Sequence, residues 1–193
     1  MEKERKSDRR ILRSKSAIRN VYLLLLGQMD SSEITVTDIA DHADVDRKTI
    51  YNYYEGIDAI RNELENELVL KISSSLEQTG FSGFLQDPKT FLESVHGAFT
   101  AYRDLTIPLF RMNNGTSVFQ KLRDSLSSRY QAFLMKTISP GMQKYSRIYA
   151  DFLMNGMISV YQEWIQGGMQ LSLEEVAKLF LPILSSGSAS FLA

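Results

Sequence analysis

Six side chains within two helical turns share one kind of chemistry: Arg47, Lys48, Thr49, Tyr51, Asn52 and Tyr53. Arginine and lysine bond the major-groove acceptors of guanine, and threonine touches the methyl of thymine. Tyrosine hydroxyls donate to phosphates. The bland alternative is a charged helix face packed through its aromatics. Residues 51 and 53 point to different sides of a helix, so the aromatics at 51, 53 and 54 cannot all enter one core. At least one of them is exposed.

Such side chains need a carrier that presents them together. The residues upstream supply it. Thr35 is placed to cap a helix, with Asp38 three residues on in the arrangement of a capping box. Ala43-Asp44-Val45 reads as a turn. Asp46 is placed to cap a second helix running to Tyr54. Val36, Ile39, Ala40, Ala43, Val45 and Ile50 are the apolar positions joining the two helices. Ala40 and Ala43 are small enough for a close, steep approach. A short helix, a turn and a polar-tipped second helix form the geometry that enters a major groove. A helix N-terminus at Thr35 adds amides for a phosphate, and Thr35 and Thr37 therefore join the DNA-facing set.

The N-terminus adds charge. Lys3, Arg5, Lys6, Arg9, Arg10, Arg13 and Lys15 stand against Glu2, Glu4 and Asp8. Beside a helix-turn-helix, Arg9 and Arg10 are expected to work as part of a phosphate or minor-groove arm. The whole chain carries a net charge of -1, so it is no general nucleic-acid binder. The distribution of charge matters more than its sum.

The remaining residues bound the fold. The 193 residues are 44% hydrophobic, enough for a real core. With 4 prolines and 11 glycines, long stretches run without a breaker, and an all-α fold is expected. Helices are predicted over 8–29, 57–76, 88–103, 116–138, 143–166 and 173–184. Asp87 caps the third of these, with Pro88 in its first turn. A short helix is expected between Pro108 and the turn at Asn113-Asn114-Gly115. There is no cysteine, which excludes disulfides and thiolate metal sites. No signal peptide is visible, and the longest apolar run, Val21 to Leu26, is too short for a bilayer. A cytoplasmic protein without membrane attachment is the expectation, so the sequon at Asn114 is read as a turn.

Other chemistry is sparse. Asp38, His42 and Asp46 stand four apart, but the turn between them breaks helical spacing, and no metal is expected. No nucleophile–base pair and no phosphate-binding glycine loop is present. Neither enzymatic activity nor a cofactor is expected. The C-terminal part is rich in aromatics and methionines, most of them suited to a core. His96, Phe99, Tyr102, Phe110, Phe133 and Phe152 are the candidates for lining a ligand cavity.

From about Arg9 to Leu64 the chain resembles the DNA-binding domain of TetR-family transcriptional regulators. The matching run is Ile34-Thr35-Val36, Asp38-Ile39-Ala40, Ala43 and Val45, then Arg47-Lys48-Thr49-Ile50-Tyr51 and Tyr53-Tyr54. Arg10, Lys15 and Ile18 fit the family's first helix. Tyr149-Ala150, Phe152, Gly156, Glu163-Trp164-Ile165 and Ser172 with Glu174 to Ala177 resemble its late helices. Three positions depart. Asp44 stands where the family commonly has a turn glycine, Gly56 where it often has a capping side chain, and Ile57 where a phosphate-binding lysine often follows.

The resemblance implies a helix-turn-helix domain over 1–55, joined by a long helix to a regulatory and dimerising helical domain over 56–193. It implies a homodimer on a palindromic double-stranded DNA operator. A repressor released by a small-molecule effector is the expected function, with control by a partner protein as the alternative. Met157, Tyr161, Trp164, Val176, Phe180 and Ile183 are the expected dimer-interface residues.

Overall fold

The computed structural model describes residues 2–79, 81, 87–112 and 115–179. Among these residues every regular element is a helix, as the sparse glycine and proline lead one to expect. The order is α1 (Glu2–Leu26), α2 (Val36–Ala43), α3 (Arg47–Tyr51), α4 (Ile57–Thr79), α5 (Pro88–Ala101), α6 (Arg103–Arg111) and α7 (Thr116–Thr137). A 3-10 turn, Gln143–Tyr145, leads into α8 (Ser146–Gln166). A last helix, α9, is described over 173–179. Phe180 and Ile183, two expected interface residues, lie outside the described residues, as do Asn113 and Asn114. No helix among the described residues is long and apolar enough to cross a membrane.

The chain packs as two compact units, one of Met1–Glu67 with Asp104–Gly115 and one of Leu68–Arg103 with Thr116–Ala193. The packing division thus falls inside α4, downstream of Gly56, where the sequence places the start of the second domain.

In the first unit, Ile18, Tyr22, Leu25 and Leu26 form the buried stripe of α1. They meet Ile39 and Ala40 of α2, Ile50 of α3 and Ile60 and Leu64 of α4, all buried. Full burial of one such aliphatic side chain contributes roughly 1.5–3 kcal/mol. The end of α6 belongs to this unit. Leu109 is buried there, Tyr22 donates its hydroxyl to Met112 Sδ at 3.7 Å, and Arg111 donates to the carbonyl of Gly27. Burial pushes the Tyr22 hydroxyl up to about 12. Pro108 was expected to bound a helix and instead lies within α6. It forgoes one backbone bond, and the burial of Leu109 in the next position offsets that loss.

In the second unit, α7 and α8 form a helical hairpin with the most extensive helix–helix contact in the molecule. Val118, Phe119, Leu122, Leu126, Tyr130 and Leu134 face Ala150, Leu153, Met154, Met157, Ile158 and Tyr161. Both sets recur at three and four residues, the spacing of one helix face. Ser73 of α4 meets Ser125 of α7 at 2.9 Å between hydroxyls. Asp87 caps α5 as expected, accepting from the Thr90 amide at 3.1 Å.

The turn between α2 and α3 takes the conformation that a glycine would ordinarily supply. Asp44 has φ 52° and ψ 50°, the left-handed region, and its amide donates to the Ala40 carbonyl. Left-handed backbone costs an ordinary L-residue roughly 1–2 kcal/mol, and aspartate tolerates it better than most. Asp44→Gly is therefore expected to stabilise the protein by up to about 1 kcal/mol, and Asp44→Val to destabilise it by about 1–2 kcal/mol. Urea unfolding midpoints at unchanged slope measure both. Equal stability of the three proteins would contradict strain at this position.

Candidate nucleic-acid interface

The helix that carries the candidate DNA-reading residues is five residues long. Its position comes from three supports. The left-handed Asp44 sets its entry, and the Val45 amide continues the turn by donating to the Ala40 carbonyl at 3.1 Å. Ile50, fully buried, fixes its inner face. Tyr54, 4% exposed, fixes its exit.

Tyr54 is held by a polar network as well as by burial. Its hydroxyl donates to Glu63 Oε1 at 3.2 Å. Lys15 pairs with Glu63 Oε2 at 2.8 Å and lies 5.0 Å from the centre of the Tyr54 ring. Arg19 reaches Glu63 at 3.5 Å and also pairs with Glu67. Burial, and then the charge of Glu63, hold the Tyr54 hydroxyl protonated well above the usual tyrosine range. This network ties α1 to α4 and to the end of α3. Lys15, counted with the basic N-terminus in the sequence, faces inward and is engaged there.

The opposite face of α3 is open. Arg47, Lys48, Tyr51 and Asn52 are exposed, Tyr51 by 59%, while Thr49 and Tyr53 are half-buried. The aromatics divide as helical geometry requires, with Tyr54 inward and Tyr51 outward. Arg9 and Arg10 on α1 and Thr37 on α2 are also exposed. None of the side chains named in this paragraph, Tyr54 apart, has a hydrogen bond or ion pair among the described residues. Between α1 and the helix-turn-helix runs an open groove of about 890 Å³. Arg10 and Ser14 line one side of it, and Thr49, Asn52 and Tyr53 the other. Asp41, Asp44 and Asp46 line it too, a contribution that the basic residues overshadow in the sequence.

Thr35 does not fit the role expected of it. Its hydroxyl and amide both donate to Asp38 Oδ2, at 2.6 and 2.8 Å, and the Asp38 amide returns a bond at 3.1 Å. The capping box is complete, so the Thr35 side chain and amide are occupied. Those hydrogen bonds, the one from the Thr35 hydroxyl foremost, hold the Asp38 carboxyl below its usual range. His42 donates a ring N–H to the Asp38 carbonyl at 2.8 Å. No cluster suited to a metal ion occurs among the described residues.

The expected ligand-lining residues do not gather in one place. Phe110 belongs to the first unit, with its ring against Gly115. Tyr102 lies under Lys71 Nζ, 5.2 Å from the ring centre. Phe133 stacks on Tyr130 at 5.9 Å, next to Phe81. His96 and Phe99 share a cluster. The His96 Nδ1 lies 3.1 Å from the Tyr161 hydroxyl, and Phe99 stacks on the Tyr161 ring at 5.6 Å. Phe152 lines no interior, being 67% exposed.

The expected interface residues are displaced in the opposite sense. Met157 and Tyr161 are buried inside their own unit, and Val176 is 2% exposed, so none is available for direct contact with a partner. Trp164 is half-buried and donates its indole N–H to the Leu171 carbonyl at 2.7 Å. The exposed apolar residues of α8 are Ile148, at 72%, and Phe152, one turn apart on the face away from the core.

Residues 86–186 match the family model of a TetR-type transcriptional regulator C-terminal region, just over half of the chain. The chain belongs to the TetR family of transcriptional regulators. The fold agrees. The crystal structure of a TetR transcriptional regulator from Streptococcus agalactiae 2603V aligns with a TM-score of 0.64 at 22% identity, covering 94% of this chain and 98% of that one. The TetR family repressor AlkX from Dietzia sp. strain DQ12-45-1b, implicated in biodegradation of n-alkanes, aligns with a TM-score of 0.48 at 18% identity, covering 89% of this chain and 96% of that one. No curated protein matches the sequence.

In this TetR-family chain the cap of α2 is expected to be acid-sensitive. A carboxyl depressed in the folded state contributes stability that is fully present above its unfolded pKa, about 4. That contribution is lost as pH falls through the depressed folded value. Asp38→Asn is expected to lower the urea midpoint at pH 7 and to flatten its decline between about pH 5 and pH 2. An acid decline as steep as the wild type's would mean that the Asp38 carboxyl takes no part in it.

Proposed function

We propose that this protein is a sequence-specific DNA-binding repressor that acts as a homodimer and leaves a palindromic operator when a small molecule binds its second unit. The observation that carries the DNA-binding part is the division of side chains around α3. Lys15, Arg19, Tyr54 and Glu63 are engaged with one another on one side. Arg47, Lys48, Tyr51 and Asn52 are exposed and uncommitted on the other. Side chains of that chemistry on a helix-turn-helix suit base edges and phosphates. Residues 1–55 then serve as the reading head, and 56–193 as the regulatory and dimerising part. Repression needs only occupancy of the operator, with no further surface for the transcription machinery.

Exposed Ile148 and Phe152 on α8 support a second copy of the chain as partner. Two-fold symmetry would set two α3 helices on half-sites about one helical turn, or a multiple of it, apart. A ligand that lowers DNA affinity tenfold must favour the non-binding conformer by about 1.4 kcal/mol. Control by a different protein is the second reading, because the same exposed α8 face would serve a partner of another sequence.

Three experiments test these statements. Arg47→Ala is expected to cost roughly 1–3 kcal/mol of operator affinity and to relax preference at one base pair per half-site, as read by site selection from random duplexes. Replacing Arg9 and Arg10 together by alanine should leave that preference intact and reduce the slope of log affinity against log salt by about 2 per half-site. A salt slope unchanged in the double variant would remove the arm from the interface. For the dimer, Phe152→Asp is expected to shift sedimentation from dimer to monomer while helix content is retained. A dimer of unaltered affinity would place the interface elsewhere, and a monomeric wild type would favour the partner-protein reading.

A further inference from the structure

We infer that Asp46 is a specificity-determining residue, whose carboxylate selects a base carrying an exocyclic amine, cytosine above all, at one position of each half-site. This inference rests on the DNA-binding reading above and adds to it a residue that the basic chemistry of α3 does not suggest. By position Asp46 is the N-cap of α3, with φ -67° and ψ 144°. By conduct it is not a cap, because its side chain makes no capping hydrogen bond. The other capping side chains behave differently. Thr35 accepts from the Asp38 amide at 3.1 Å, Asp87 from the Thr90 amide at 3.1 Å and Ser172 from the Glu175 amide at 3.2 Å. Asp46 alone among these four leaves its helix uncapped, and like the other three it is exposed.

Nor does the carboxylate find a cation. Arg47 and Lys48 follow it directly, yet neither pairs with it, and Asp46 has no ion pair among the described residues. It lines the groove shared by Arg10, Thr49, Asn52 and Tyr53, at the leading end of the reading helix. A charged acceptor there has few partners on DNA. Phosphate oxygens, the O6 and N7 of guanine and the O4 of thymine are all acceptors and repel it. The N4 amine of cytosine donates, and carboxylates accept from it; adenine also offers its N6 amine, but beside the N7 acceptor that repels the carboxylate, which leaves cytosine the better partner. Asp41 and Asp44 line the same groove, so a carboxylate at its leading end works by exclusion as much as by attraction, which is how a site rejects wrong partners.

The test is site selection from a randomised duplex library with the full-length protein, comparing wild type, Asp46→Asn and Asp46→Ser. Wild type is expected to enrich a two-fold motif with a cytosine at one position per half-site, favoured about tenfold over the other bases. Asp46→Asn is expected to lose that preference, or to exchange it for adenine, which asparagine recognises with two bonds. Asp46→Ser, which retains capping ability, is expected to lose it too, with all other positions of the motif unchanged and unfolding midpoints close to wild type. A wild-type motif that both variants reproduce, even at higher affinity, would overturn the inference and reduce Asp46 to general repulsion of phosphate. A wild-type protein that enriches no sequence would overturn the DNA-binding reading itself, and this inference with it.

Discussion

A helix of five residues cannot hold its own shape in water. Isolated helices shorter than about 12–15 residues are marginal even in favourable sequences, so α3 exists only because its surroundings impose it. The left-handed Asp44 directs the chain into it, Ile50 anchors its floor, and Tyr54 closes it. Tyr54 in turn depends on Glu63, which depends on Lys15 and Arg19. All of these supports act from one side. The other side is therefore free of structural duty, and its side chains are available to a ligand as large as a DNA groove.

The same asymmetry explains how a chain of net charge -1 keeps Arg9, Arg10, Arg47 and Lys48 exposed. Basic residues of the first unit fall into two groups by what they touch. Lys15, Arg19 and Arg61 are paired with Glu63, Glu67 and Asp58, and Arg111 is bound to the Gly27 carbonyl. Arg9, Arg10, Arg47 and Lys48 have no such partners among the described residues. The acidic residues of α4 thus neutralise the cations that hold the unit together, and the remaining cations set the field outside. Asp41, Asp44 and Asp46 temper that field along the groove. Under the DNA-binding proposal, a head built this way would rely less on phosphate attraction, which is blind to sequence, and more on contacts that are not.

How far the sequence disclosed this depended on whether residue type alone decides the outcome. The capping box at Thr35 and Asp38 and the turn aspartate are decided by local chemistry, and they fold as read. Asp46 is not, because capping propensity concerns a position and leaves the rotamer open. The second unit shows a different failure. Aromatic and methionine side chains suit a core, a cavity or an interface equally, so their identity could not assign Phe152, Met157 or Tyr161. Register could have done so. Ala150, Leu153, Met154, Met157, Ile158 and Tyr161 keep helical spacing, and Ile148 and Phe152 fall together off that stripe. The partners of Lys15 were beyond reach, since Glu63 is 48 residues away and only packing brings the two together.

The family match and the reading head lie in different parts of the chain. The matched region is residues 86–186, whereas the side chains facing the groove lie between Arg10 and Tyr53. The structural neighbour from Streptococcus agalactiae covers both parts, but at 22% identity it transmits a backbone and not a contact list. That is the expected outcome of packing physics. A fold is fixed by buried positions such as Ile39, Ile50 and Leu64, which accept many sequences of similar volume. The exposed positions of α3 are not constrained by packing, so no property of the fold predicts them. Under the DNA-binding proposal, operator choice is therefore read from this chain's own surface, at the exposed Asp46, Arg47 and Lys48 around the start of α3.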